Sequence, residues 1–228
     1  MKKVINLLLA VCVVALAYLC YASIMGPIKF EETQKLREKE VIARLIDIRD
    51  AQVNYRNINQ QGYADNFDEL IEFVKTAQLP VVKKEGELTD AQLENGLTES
   101  KAIAIIEKAK KTNKWDEVKK NGLENFRRDT TWVNLKDSIF GKNFVADSLR
   151  YVPFGNGAEF ELAVKVDSTR SGSALYLFEA KTPYETYLGG LDKQLIINMK
   201  DVDEKQDRYP GLKVGDIENP NNNAGNWE

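Results

Sequence analysis

The chain opens on an apolar run, Val4–Met25, of 22 residues interrupted only by Asn6 and Ser23. At about 1.5 Å of rise per residue, a helix of that length spans the ~30 Å hydrocarbon core of a bilayer. Residues 1–25 are therefore expected to form a transmembrane anchor, which Gly26-Pro27 ends or kinks. From Phe30 to Ile58 the pattern stays helical but changes solvent partway. Residues 26–40 read as a polar stalk, because Glu31 to Glu40 are polar nearly all round, with Glu31/Lys35 and Glu40/Arg44 spaced to pair. From Val41 a stripe of Val41, Leu45, Ile48 and Tyr55, flanked by Ile42, Ile46 and Val53, is wide enough to lie against a sheet. One folded domain is expected over 41–228.

Beyond a break at Gln61-Gly62-Tyr63, a short helix is expected at Asn66–Ala77 with Phe67, Leu70, Ile71 and Val74 on one side. Leu79–Val82 reads as extended. Thr89 with Gln92 forms a capping box, and Glu99–Lys120 reads as one Lys-rich helix closed by Asn121-Gly122. From Thr130 the period becomes two, with strands expected at Thr131–Leu135, Leu149–Phe154, Ala158–Val166 and Ala174–Ala180 in an antiparallel meander. A helix over Leu191–Glu204 and an edge strand at Leu212–Val214 complete the list. The tail ends in Trp227, whose large ring is expected to dock beside that edge. The fold class is α+β: a transmembrane helix continuing into a long amphipathic helix packed on an antiparallel sheet, with extra helices.

Composition narrows the chemistry. With 32 basic and 35 acidic residues the net charge is −3, so no basic face argues for nucleic acid. The absence of His removes the commonest general base and zinc ligand. Cys12 and Cys20 both lie in the apolar run, which leaves the rest without a thiol for a disulfide, a nucleophile or a metal cluster. No nucleophile motif, phosphate loop or dinucleotide fingerprint occurs, and no catalytic residue is assigned. Lys2 and Lys3 precede the anchor while Glu31 and Glu32 follow it, so the positive-inside rule keeps the N-terminus in the cytoplasm and sends the remainder to the periplasm. Ala15-Leu16-Ala17 has the form of a signal-peptidase site, but the apolar run continues for eight residues beyond it, so the anchor is expected to persist.

A membrane helix running into an amphipathic one, then Ala51-Gln52-Val53-Asn54-Tyr55 and Gly62-Tyr63 before another helix, resembles the type IV pilins and the pseudopilins of type II secretion. Gly215-Asp216-Ile217 and Gly225-Asn226-Trp227-Glu228 are similar to the endings of major pseudopilins. The resemblance covers about a third of the chain and implies a long helix on an antiparallel sheet and a non-enzymatic role in assembly or protein interaction. Partners would be the membrane and like subunits or other envelope proteins. The chain departs from the family in having no acidic residue from Val4 to Met25 and no basic leader ending in Gly, so prepilin processing is not expected. The whole chain also resembles single-pass envelope proteins of Bacteroidota. The alternatives are an accessory subunit of an inner-membrane complex, gripping its partner through the anchor and Phe30–Glu40, or a periplasmic enzyme or ligand binder.

Two candidate sites remain. Asp216, Glu218 and Asn219, with Asn221–Asn223 beyond, offer oxygen ligands for calcium, the one cofactor considered. Asp201, Asp203, Glu204 and Asp207 form a second acidic group that reads as a polar helix end. Asp followed by Ser or Thr, which also favours turns, resembles the O-glycosylation acceptor of Bacteroidota and marks Thr130, Ser138, Ser148 and Ser168.

Overall fold

The computed structural model describes residues 2–60, 62–168 and 172–228, with backbone alone at 2–4, 82, 129 and 130. In chain order the elements are α1 (Lys2–Asn59), α2 (Phe67–Thr76), β1 (Gln78–Glu85), α3 (Asp90–Glu94), α4 (Glu99–Thr112), α5 (Asp116–Lys120), β2 (Arg127–Asn134) and α6 (Leu135–Ile139), followed by a 3-10 turn at Ala146–Arg150. They continue with β3 (Glu161–Ser168), β4 (Ala174–Pro183), α7 (Tyr184–Tyr187), α8 (Lys193–Glu204) and β5 (Gly211–Gly215), giving an α+β fold. Where one domain is expected over 41–228, the chain falls into two compact units, unit 1 of Met1–Val74 with Val145–Glu228 and unit 2 of Lys75–Phe144.

In unit 1, α1 is helical without interruption through Pro27. Proline removes one rung of the hydrogen-bond ladder, but the rungs on either side continue, so the expected break is absent. From Ile5 to Ile24 the large apolar side chains lie open all round, with Leu7 69% and Leu16 60% exposed. This part of the helix is long and apolar enough to cross a membrane.

The stripe on the second half of α1 is buried as its spacing requires, with Val41, Leu45 and Ile48 each fully covered. It packs on β4 and β5 of the antiparallel sheet β3-β4-β5. Phe178, Ala180 and Val214 are fully buried there. Packing begins earlier than residue 41, which corrects the stalk. Phe30 is buried, and Arg37 Nη1 donates to the carbonyls of Tyr187 and Gly189, each at 2.9 Å, while its guanidinium lies over the Phe154 ring. Burial, and after it the Glu38 carboxylate, raise the Tyr187 hydroxyl far above the usual phenol range. One face of residues 30–38 thus belongs to the fold, while Leu36 on the other is 61% exposed. The strand expected at Leu149–Phe154 is instead the 3-10 turn and a single bridge, Tyr151 to Glu159, beyond which Phe154 takes a left-handed φ of 63°.

Unit 2 pairs β1 antiparallel with β2 and packs its helices over a small core of Ala102, Ala109, Val118, Leu123 and Phe126. The capping box of Thr89 and Gln92 starts α3 as expected. The Glu99–Lys120 helix is divided, because Asn113 adopts a left-handed φ of 54° and closes α4 before α5 begins. A short-side-chain Asn tolerates that conformation well enough to act in place of Gly. The expected meander is therefore split, since β2 pairs with β1 and not with β3.

Candidate functional site

The segments that carry the pilin resemblance are far apart in sequence and meet in unit 1 at the C-terminal end of α1. Gln52 sits on the core stripe one turn beyond Ile48, fully buried. Its amide acts as a surrogate backbone: Nε2 donates to the Ala64 carbonyl and Oε1 accepts from the Ala64 N–H, both at 2.9 Å. That clasp fixes the chain leaving Gly62-Tyr63. Tyr63 then packs its ring on Phe178, with centroids 4.7 Å apart, and turns its hydroxyl outward.

The tail is laid along β5 from the other side. Gly215 N–H donates to the Ala224 carbonyl and Asn226 N–H to the Lys213 carbonyl, each at 3.0 Å. The Asn226 side chain accepts from Lys213 N–H and donates to the Gly211 carbonyl. Gly215 admits no other residue: its φ is 71°, and a Cβ there would stand 2.2 Å from the Phe178 carbonyl oxygen. Trp227 is half-buried and lies over Gly225, whose missing Cβ leaves room for the indole at 2.4 Å from the ideal Cβ position. Residues 224–226 are thus docked beside 212–214, and the Trp227 ring is seated on Gly225. Glu228 closes the arrangement by accepting from Arg49 Nη1 of α1 at 2.6 Å.

Between these parts lies an open cleft of ≈ 500 Å³ walled by Arg49, Arg56, Tyr63, the 221–223 asparagines and Glu228. Arg56 is its most exposed cation. The guanidinium lies 5.5 Å from the Tyr63 centroid and 5.8 Å from that of Tyr176, and donates to Tyr63 Oη at 3.2 Å. Asn223 Nδ2 donates to the same oxygen at 3.1 Å. Guanidinium, amides and phenol offer hydrogen-bond donors on a rigid wall, which suits recognition of a polar or acidic group on another molecule.

The calcium candidate has a different structure from the one expected. Asp216 Oδ1 accepts from the backbone N–H groups of Glu218 and Asn219, both at 2.8 Å, and Oδ2 accepts from Lys213 Nζ at 2.8 Å. The backbone N–H groups of Glu218 and Asn219 therefore satisfy one Asp216 oxygen, and the Lys213 ammonium supplies the positive charge at the other. Burial alone would raise the Asp216 carboxyl, but Lys213 and the two amides outweigh it and hold it below the usual carboxylate range. Of the second acidic group, Asp203 accepts from Tyr184 Oη at 2.6 Å and Asp201 pairs with Lys205. Among the described residues no group of three or more His, Cys, Asp or Glu is placed to hold a metal ion.

The glycosylation candidates are not brought together. Ser138 is exposed on α6, in unit 2, and Ser168 is exposed at the end of β3. Ser148 is half-buried in the 3-10 turn, its hydroxyl donating to the Val145 carbonyl at 2.6 Å while its own carbonyl accepts from Arg44. The Thr130 side chain lies outside the described residues. Sequence reasoning missed the Gln52 clasp and the Arg56 stack, although a polar residue on an otherwise apolar stripe was a signal for the first. Neither a protein-family model, nor a curated protein, nor a solved structure matches the chain.

Proposed function

We propose that this chain is a non-enzymatic, membrane-anchored envelope protein with a pilin-like unit, acting by assembly or protein interaction. Its N-terminus lies in the cytoplasm and everything after the anchor in the periplasm. The observation that carries this reading is α1 itself. One helix is apolar and open all round over its first third, as a lipid-facing span must be, and then buries a stripe against a three-stranded antiparallel sheet. The charge asymmetry of Lys2/Lys3 against Glu31/Glu32 supplies the orientation. The cleft of Arg49, Arg56 and the 221–223 asparagines, walled by the Arg49–Glu228 ion pair and by amides, supports recognition in preference to catalysis.

Orientation is tested with Lys165→Cys in a chain whose Cys12 and Cys20 are Ser. Lys165 is exposed on β3, so an impermeant maleimide should label it in intact spheroplasts. Labelling only after lysis reverses the orientation. Mild extraction of native membranes followed by native mass measurement tests the mode of action, with like-subunit species expected. A fixed complex with unlike membrane subunits would favour the accessory-subunit alternative, for which the exposed Leu36 beside the span is the available grip.

A further inference from the structure

The two-stranded sheet of unit 2 is open to solvent on both faces. Trp132 is 63% exposed, Val81 44% and Val133 38%. Among the described residues β1 and β2 pair only with each other, and a lone two-stranded ribbon is marginal in water.

Register decides which edge of the ribbon can accept another strand. One step beyond the pair Gln78↔Asn134, Leu135 N–H donates to the Ala77 carbonyl at 2.9 Å. Inward-bonded and outward-turned pairs alternate in an antiparallel ladder. The odd-numbered residues of both strands therefore bond across the ribbon, and the even-numbered ones turn their N–H and C=O outward. On β1 the outward set includes Pro80, opposite Trp132, which has no N–H to offer. On β2 the outward set is Arg128, Thr130, Trp132 and Asn134, with a donor at every position. One edge is blocked and the other is complete.

We propose that the free edge of β2 pairs antiparallel with β2 of a second copy of this chain, forming a sheet of order β1-β2-β2-β1 that Pro80 terminates at both ends. The register that uses the strand's length places Thr131 opposite Thr131 of the second copy on the two-fold axis. Arg128 then stands opposite Asn134 of the second copy, and Thr130 opposite its Trp132. The charged positions 128 and 129 face neutral ones, 134 and 133, so no like charges meet, and a Thr–Thr cross-strand pair is favourable. Because the contact is isologous, it uses the open edge of both copies and leaves only the proline-bearing edges, so assembly stops at two. In one respect this rests on the proposed function: an anchor that holds both copies in one membrane raises their effective concentration.

The test uses the full chain in native membranes, again with Cys12→Ser and Cys20→Ser. Thr131 would form a non-hydrogen-bonded pair with Cα atoms about 4.5 Å apart, within the disulfide range of about 4.4–6.8 Å. Mild oxidation should convert most Thr131→Cys chains to a covalent dimer. Glu124→Cys, exposed and off the ribbon, should stay at the collisional background. Thr130→Pro imposes on β2 the device that Pro80 provides on β1, removing an outward donor and no β1–β2 bond, and should cut the cross-link at least tenfold. A second measurement does not depend on proline being accommodated: differently tagged Asp129→Cys and Val133→Cys chains should cross-link to each other, whereas Val133→Cys alone should not. Thr131→Cys linking no better than Glu124→Cys overturns the proposal, and so does its linking to a different polypeptide. A monomer that stays in the membrane fraction removes the pairing and spares the anchor, whereas a dimer recovered in the soluble fraction does the reverse.

Discussion

Replacing Gln52 tests whether a buried side-chain amide holds the loop after α1 in place. Gln52 and Ala64 are 0% and 1% exposed, and two hydrogen bonds of 2.9 Å join them. Gln52→Leu keeps the volume and leaves one buried N–H and one buried carbonyl without partners, each costing about 1–3 kcal/mol. The expected loss is about 2–5 kcal/mol. For a chain of this size each kcal/mol moves Tm by about 2–4 °C, so the variant should melt about 4–20 °C lower in detergent-solubilised full chain. Gln52→Glu gives a sharper readout. Its ionised carboxylate still accepts from Ala64 N–H but has no proton for the Ala64 carbonyl, whereas the protonated acid restores both bonds. Burial raises the folded pKa above the unfolded value of about 4.3, so the native state holds more protons between the two and stability falls as pH rises through that window. The deficit should be large at pH 7.5 and shrink toward pH 4.5, while that of Gln52→Leu stays flat. A Gln52→Leu chain that melts with the wild type, or a pH-independent Gln52→Glu, refutes the clasp.

Leu45→Ala, at a fully buried position, should cost about 2–5 kcal/mol as a cavity, while Leu36→Ala, 61% exposed, should stay within about 0.5 kcal/mol; denaturant unfolding that gives equal losses would misplace the packing face of α1. Deleting Gly225–Glu228 removes Trp227, the Asn226 bonds and the Arg49–Glu228 pair together, and should lower Tm and expose Tyr63 to chemical modification. Asp216→Asn should destabilise at neutral pH and converge with the wild type in acid. The folded pKa of Asp216 is depressed, so its contribution is present above the unfolded value of about 3.9 and is lost as pH falls through the folded one. A Tm gap that does not narrow at all as pH falls away from neutrality into the acid range would mean that the Lys213 pair is not its source. Added calcium should leave Tm unchanged, because Lys213 already meets that carboxylate, and a calcium-dependent rise would reinstate the ion site.

What could be read in advance follows the range of the interactions involved. The stripe Val41, Leu45, Ile48 was legible because helical spacing is local, and α8 and β5 were legible for the same reason, as was the docking of a terminal Trp. The face of Phe30–Glu38 was misread as solvated because Arg37 finds two backbone carbonyls about 150 residues away, and carbonyls leave no mark in a sequence. Tyr151, Val152 and Phe154 have strand-forming side chains, yet the turn at 146–150 and the left-handed Phe154 override that preference. The division into two units was hidden because no Gly-, Pro- or Ser-rich linker marks residues 74 or 145. In the site, Asp216 was read as an oxygen ligand for calcium, and the charge that meets it is Lys213, on the strand before it, since an ammonium satisfies the same oxygens as a metal.

In sequence, unit 2 is inserted within unit 1, whose two pieces precede and follow it, and this fixes an order of events during synthesis. The stripe of α1 emerges early, but β4 and β5, which cover it, start at Ala174 and Gly211, roughly 125 and 165 residues after Ile48. At about 5–20 residues per second the nascent chain carries Val41, Leu45 and Ile48 without β5 for about 8–33 s, while unit 2, contiguous in sequence, is free to fold. The helix that is ready first must therefore wait for the last strand, and during that interval its apolar stripe has no sheet to cover it.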